Sequence, residues 1–144
     1  MLSNSKDFLS NIENVIHEKT QVHKKSIELT VKSIFEIKNA GSLDFGGSEV
    51  DEAEFVKISV EKKSEKDKYG WWHLEQGVYL VEFNEKLTRD YGLVQSISRL
   101  LLTGCFIPMQ IFQKNDRLQN LLVVGDNGVD IKENARIAGF YHMK

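Results

Sequence analysis

Between Ser98 and Ala138 the chain reads SRLLLTGCFIPMQIFQKNDRLQNLLVVGDNGVDIKENARIA, short apolar and β-branched runs broken at Gly104, Pro108, Lys114 to Arg117 and Gly125 to Gly128. Runs of this length, closed by Gly, Pro and Asn-Gly signals, fit strands and are too short for packed helices. The same grammar begins upstream. Ile27, Leu29 and Val31 alternate with Glu28, Thr30 and Lys32, the period of a half-buried strand that starts near Ser26. Ser33 to Ile37 continues it, and Asn39-Ala40-Gly41-Ser42 turns the chain into Leu43 to Gly47.

Further strands are expected at Lys57 to Val60, Trp71 to Leu74 and Gly77 to Phe83, the last two joined by a turn at Glu75 to Gly77. After a turn at Arg89 to Gly92, Leu93 to Leu102, Cys105 to Phe112, Leu121 to Val124, Val129 to Ile131 and Arg136 to His142 complete the set. Composition alone also permits a helix at Leu93 to Leu102. Many short strands at this spacing predict a mostly β barrel or sandwich. Glu61 to Lys68 carries mixed signs and reads as a solvated loop.

The N-terminus differs in period. Phe8, Ile12, Val15 and Ile16 form one stripe of an amphipathic helix over Ser5 to Glu18, capped by Asn4 or Ser5 and packed on the barrel exterior. Gln21 to Lys25 reads as a polar connector. The organisation is therefore a helix and connector over residues 1–23 and a barrel over residues 24–144. At 144 residues a single domain buries roughly 68–70% of its unfolded surface, enough for a real core.

Charge narrows the partners. Nineteen basic against 21 acidic residues leave a net charge of −2, with no global field for nucleic acid or an anionic membrane. No apolar run approaches the length of a membrane span, and the N-terminus lacks a signal-peptide pattern, so a soluble, cytoplasmic protein is expected. The single cysteine, Cys105, reads as a buried thiol between Gly104 and Phe106. His17, His23, His73 and His142 have no metal-signature spacing, and no metal ligands are assigned. Asp126-Asn127-Gly128 reads as a turn rather than a calcium loop. Gly46-Gly47 lacks the lysine of a phosphate-binding loop. Of Trp71 and Trp72, one should face the core and leave the other for subunit contact.

Four landmarks together carry a family resemblance. They are Ser26-Ile27-Glu28-Leu29-Thr30-Val31, Trp72-His73-Leu74-Glu75-Gln76-Gly77-Val78-Tyr79-Leu80-Val81 with Glu85 after it, Ser98 to Gly104, and Leu121 to Ala138. Over roughly residues 24 to 140 the chain resembles the dUTPase and dCTP deaminase superfamily. The resemblance implies a dUTPase-like distorted β-barrel with a short N-terminal α-helix, a homotrimer with nucleotide sites at subunit interfaces, and a deoxynucleoside triphosphate ligand. It also implies Mg²⁺ if the protein is active.

The polar positions of the family pattern are mostly changed. Anchored on Gly104, the family's Arg-Ser-Ser falls on Ile97, Ser98 and Arg99, and its next arginine on Leu102. The family's catalytic aspartate, deoxyribose-packing tyrosine and glycine fall on Gln113, Asp116 and Leu118. An amide can position a water but cannot take its proton. The glutamate required for deamination falls on Val123, and Gly139 stands where glutamine usually follows Asn134 to Ala138. No glycine-rich closing arm is found up to Lys144.

Gln113 and Asp116 are the expected catalytic positions, and Ser98, Arg99, Gly104, Lys114, Arg117 and Arg136 the expected nucleotide-binding ones. The function implied is that of a dUTPase relative in nucleotide metabolism whose hydrolysis of dUTP to dUMP and pyrophosphate is weak or lost. The alternative is a non-catalytic module that binds nucleotide or protein on the same trimeric fold.

Overall fold

A computed structural model describes residues 1–143. A helical turn α1 (Ser5–Phe8) runs into a 3-10 turn (Leu9–Asn11), a two-residue strand β1 (Ile12–Glu13) and a second helical turn α2 (Glu18–Gln21). The long strand β2 (Ile27–Ile37) follows, then β3 (Phe55–Lys57), β4 (Trp71–Leu74), β5 (Gly77–Phe83), β6 (Lys86–Leu87) and β7 (Tyr91–Ser96). After α3 (Ser98–Leu101) come β8 (Cys105–Phe106), β9 (Gln110–Gln113), β10 (Gln119–Val124), β11 (Val129–Lys132) and β12 (Arg136–Tyr141).

The eight-stranded sheet has the order β8-β10-β5-β2-β12-β7-β9, with β3 added to the far end of β2. Its strands pair antiparallel. β9 and β10 lie near opposite ends of that order, yet side chains of both line one cleft, so the sheet curls into an almost closed barrel. β4 and β11 form a separate two-stranded ribbon.

β2 can serve two halves of the barrel because its register shifts between Val31 and Ser33. Before the shift Ile27, Leu29 and Val31 are inward. After it the inward residue is Ile34, one step out of phase, as an extra bulge residue requires. Around these pack Val81, Phe83, Val94, Leu122 and Phe140, all buried.

Several sequence expectations are corrected in their pairing. Trp71–Leu74 does not pair with Gly77–Phe83; β4 pairs with β11 and β5 with β2 and β10. Lys114 to Arg117 is a crossing loop rather than a hairpin, because β9 pairs with β7 and β10 with β5 and β8. Leu93 to Leu102 divides into β7 and the turn α3. Gly104, at φ 81, accepts the left-handed conformation that ends the turn, and its N–H donates to the Leu101 carbonyl at 3.0 Å.

The expected helix over Ser5 to Glu18 is also shorter. It stops by Asn11, because Ile12 is drawn into pairing with Leu87, and Asn14 has φ 68. Phe8 and Ile12 of the stripe reach the core and Val15 packs partly against it; the Phe8 ring centroid is 5.9 Å from that of Phe140, a burial worth about 1.5–3 kcal/mol. Ile16 is exposed. The helix start has no side-chain cap, and the Ser5 hydroxyl instead donates to the His23 carbonyl.

Gln21, read from sequence as connector, is buried and ties the N-terminal segment to the barrel. Its carbonyl oxygen accepts the Ile16 and His17 N–H groups, and its amide nitrogen donates to the Glu28 carbonyl and to Glu85 Oε2, both at 2.9 Å. Glu85 also accepts the Thr30 N–H at 2.7 Å and its hydroxyl at 2.6 Å. Glu28 and Thr30, the polar half of the β2 alternation, are therefore inside rather than in water.

Burial raises the Glu85 pKa above the ordinary carboxylate value, outweighing the hydrogen bonds from Thr30 and Gln21 that favour the charged form. The folded chain keeps this proton to higher pH than the unfolded chain. The stability linked to it is full below the ordinary carboxylate range and is lost as pH rises through the raised pKa. Urea midpoints measured against pH should show that loss in the wild type, and Glu85→Gln should remove it from the profile.

Candidate functional site

The curl of the sheet leaves a cleft of ≈ 600 Å³ between the ends of β9 and β10. Among the described residues β9 has a strand partner on one side only. β10 meets β8 only at Val123 and Val124, so the edge of its first half is also unpaired. Two strand edges with unspent backbone donors and acceptors thus face a common space, the condition under which a strand edge binds something else.

The lining is rich in amides: Gln110, Asn115, Gln119 and Asn120, with Phe112 and Leu80 as apolar walls. Asn120 is buried. Its Nδ2 donates to the Pro108 carbonyl at 2.7 Å and its Oδ1 accepts the Leu121 N–H at 2.8 Å, holding the segment before β9 against β10.

Asp116 is the one carboxylate that lines the cleft, and its own turn uses it. The Gln113 N–H donates to Asp116 Oδ2 at 2.8 Å, while the Asp116 N–H donates to the Gln113 carbonyl at 3.0 Å. Asn115, at φ 73, takes the left-handed position of that turn. Leu118 is buried and its carbonyl accepts the Phe83 N–H at 2.9 Å, so the chain re-enters the core immediately after the loop.

The expected site residues divide into three groups. Asp116 and Arg117 line the cleft. Gln113 and Lys114 belong to the same turn, but line a recess on its other side with Asp90, Tyr91 and Ile111, where the Lys114 N–H donates to the Asp90 carbonyl at 2.8 Å. Arg99 and Arg136 line a third depression, against the β4–β11 ribbon. Arg136 is already held there, with Nη1 2.8 Å from Glu28 Oε1 and donating to the Thr20 carbonyl at 3.2 Å. Ser98 opens α3, and Gly104 closes that turn.

Asn115, Gln119 and Asn120 were not singled out from sequence. Asn120 could have been: it shares the inward phase of Leu122 and Val124 in a strand otherwise apolar, and a buried amide there needs partners.

Two other arrangements carry less chemistry. Ser3 Oγ lies 2.8 Å from His142 Nδ1 and Asp90 Oδ2 3.8 Å from His142 Nε2, but Ser3 is buried and no substrate reaches its hydroxyl. Among the described residues no group of three or more His, Cys, Asp or Glu could hold a metal ion. Asp116 would offer a Mg²⁺ ion in the cleft at most one carboxylate ligand, so most of that ion's coordination would have to come from substrate phosphates and water.

Comparison with known proteins agrees with this architecture. The chain is 33% identical over 132 residues to the probable deoxyuridine 5'-triphosphate nucleotidohydrolase of Methanosarcina mazei, covering 88% of this chain and 74% of that one. It is 30% identical over 142 residues to the protein of the same name from Methanococcoides burtonii, covering 92% and 79%. No family model matches the chain. Among solved structures, the 2'-deoxycytidine 5'-triphosphate deaminase of Agrobacterium tumefaciens superposes with a TM-score of 0.61 at 13% identity. That match covers 97% of this chain and 47% of the deaminase, a likeness of fold. The chain belongs to the dUTPase and dCTP deaminase superfamily, as a dUTPase-related protein.

Asn120→Ala would strand the Pro108 carbonyl and the Leu121 N–H. Chemical denaturation should show a loss of about 1–3 kcal/mol, with faster amide exchange confined to residues flanking the cleft.

Proposed function

We propose that this protein binds a deoxynucleoside triphosphate in the β9–β10 cleft and that its hydrolysis of dUTP is weak or absent. The observation that carries the reading is the state of Asp116: the cleft's one carboxylate is engaged by the Gln113 N–H, and its other polar side chains are amides and Arg117. A general base must aim a carboxylate oxygen at water in line with the reacting phosphorus; amides lack that basicity, and Asp116, the one carboxylate, is oriented by its own turn through Oδ2. The amides still recognise. Each presents both donor and acceptor, and together with the unpaired strand edges they suit the polar edge of a pyrimidine. Arg117 and, across the turn, Lys114 supply positive charge for phosphates. Any Mg²⁺ would arrive with the triphosphate rather than be held by the cleft. The protein acts in the cytoplasm, with the nucleotide pool.

A homotrimer is part of this proposal. The outer face of the sheet carries Phe106, Val123 and Val78 in one cross-strand row and Leu121, Leu80 and Phe35 in the next. Phe106, Val78 and Leu121 are exposed, as are Met109 and Ile111 nearby, an apolar surface that association would cover.

Pyrophosphate release from dUTP in Mg²⁺, with dCTP, dTTP and UTP alongside, tests the catalytic half. The expected result is no release, or release too slow for an enzyme of nucleotide clearance. Fast, dUTP-selective turnover abolished by Asp116→Asn would overturn it. Thermal melting tests the binding half. At a nucleotide concentration roughly ten times its dissociation constant the midpoint should rise by about 4 °C, and Arg117→Ala should remove most of that shift.

A further inference from the structure

The segment between β2 and β3 is an ordered loop that holds apolar side chains away from the protein. Its neck is closed by reciprocal backbone hydrogen bonds between Ser42 and Asp51, 2.9 and 3.1 Å, and the Ser42 hydroxyl donates to the Glu49 carbonyl at 2.6 Å. A Cβ on Gly41 would lie 2.6 Å from the Asp51 carbonyl oxygen, so glycine is what lets the two sides approach. Inside the loop, the Asp44 carboxylate accepts the Gly47 and Glu49 N–H groups at 2.9 and 3.2 Å. Yet Leu43 is 89% exposed and Phe45 108%. Two large apolar side chains are thus held out on one tied loop. From Asn39 to Glu54 it carries Asp44, Glu49, Asp51, Glu52 and Glu54 and no lysine or arginine. None of the five has a cationic partner among the described residues.

The depression that holds Arg99 has the opposite character. It measures ≈ 240 Å³ and its floor includes Leu100, Ile131 and Ile137, with Trp71 as one wall. Lys63 Nζ and Lys132 Nζ stand 4.4 and 5.6 Å from the Trp71 ring centroid. The charges at its rim sort cleanly. Arg136 is neutralised by Glu28, and Asp130 is drawn to His73 Nδ1 at 2.7 Å. Arg99, Lys132 and Lys63 have no carboxylate within salt-bridge distance among the described residues.

We propose that the acidic loop of one copy seats Leu43 and Phe45 in the Trp71, Arg99 and Lys132 groove of the next copy, a head-to-tail contact repeated around the oligomer. Charge complementarity selects this occupant: the groove is cationic with an apolar floor, and the loop is anionic with two apolar anchors. Since Leu43 and Phe45 are fully in water, the loop does not occupy its own chain's groove. A heterologous contact of this kind closes into a ring when the rotation between copies is right. The contact rests on the self-association proposed above, and it assigns Arg99 to a carboxylate-bearing protein segment.

Sedimentation velocity with the full chain decides it, together with a photo-crosslinker in place of Phe45. The double variants Leu43→Ser/Phe45→Ser and Arg99→Glu/Lys132→Glu change exposed positions, and an unchanged melting midpoint of the monomeric species would confirm that they fold. Each should weaken association by ~30-fold or more, as loss of a central anchor does. High salt should weaken it in the wild type. Crosslinks from position 45 should join two copies and map near Trp71, Arg99 and Lys132. If the wild type associates but the variants associate equally and the crosslinks stay within one chain, the contact is wrong while the trimer stands. A wild type that remains monomeric at tens of micromolar overturns both, and the nucleotide melting shift still reports separately on the cleft.

Discussion

Everything else in this protein is arranged around β2. One strand of eleven residues pairs with β12 along its first half and with β5 and β3 along its second, and the register shift after Val31 is what lets one strand face two parts of a curling sheet. Its polar residues would be a liability in that central position. Thr30 and Glu28 are instead satisfied from the side, by Glu85 and Gln21, and by Arg136 and His23. The N-terminal segment is thus the cover that the central strand requires, held by a carboxylate that burial pushes toward its neutral form. Since that cover also fixes Asn11 and Thr88, whose contacts lead on to Asp90, it bears on where the loop after β9 begins.

The cleft follows from the same geometry. A sheet that curls without closing leaves two unpaired edges, and the chain must cross between them; the crossing loop is Lys114 to Arg117. A loop there has to turn tightly with one residue in the left-handed region and a side chain to accept the freed amides. Asn115 and Asp116 meet those needs. Structural and chemical demands on this loop therefore fall on the same few residues, and Asp116 Oδ2 answers the structural one.

How much of this could be read from the sequence depended on whether the signal was local. Strand positions were legible at β2, β5, β10 and β12, since alternation and turn residues are local; Gly128, at φ 68, sits in the expected turn after Gly125. Partnership was not legible. The turns after β4, β9 and β10 look like hairpin turns by composition, yet the strands they join belong to different ladders, because the curl of the sheet is decided by the whole core rather than by four residues. The helix stripe at Phe8, Ile12, Val15 and Ile16 failed for a related reason: pairing of Ile12 with Leu87 overrode a weak periodicity. At the site, the changed residues at Gln113 and Leu118 were visible in the sequence. That Asp116 would cap its own turn was readable as a turn preference, whereas the amide lining of the cleft needed the fold to bring Gln110 and Asn120 together.

The pattern of what is kept and what is changed also weighs on the chemistry. A barrel core tolerates few changes in volume, so Leu122, Val124 and Phe140 are constrained by packing whether or not anything is hydrolysed. A cleft is different. Its amides are not required by packing alone, apart from Asn120, and the exposed Gln110 could be exchanged for almost any polar residue at little cost. A lining with one carboxylate and paired donors and acceptors along two open strand edges offers many contacts to a planar polar group and a single acidic side chain through which a proton could move. Binding does not depend on a general base because it draws on many small contacts, whereas proton transfer needs one group of the right basicity in one place.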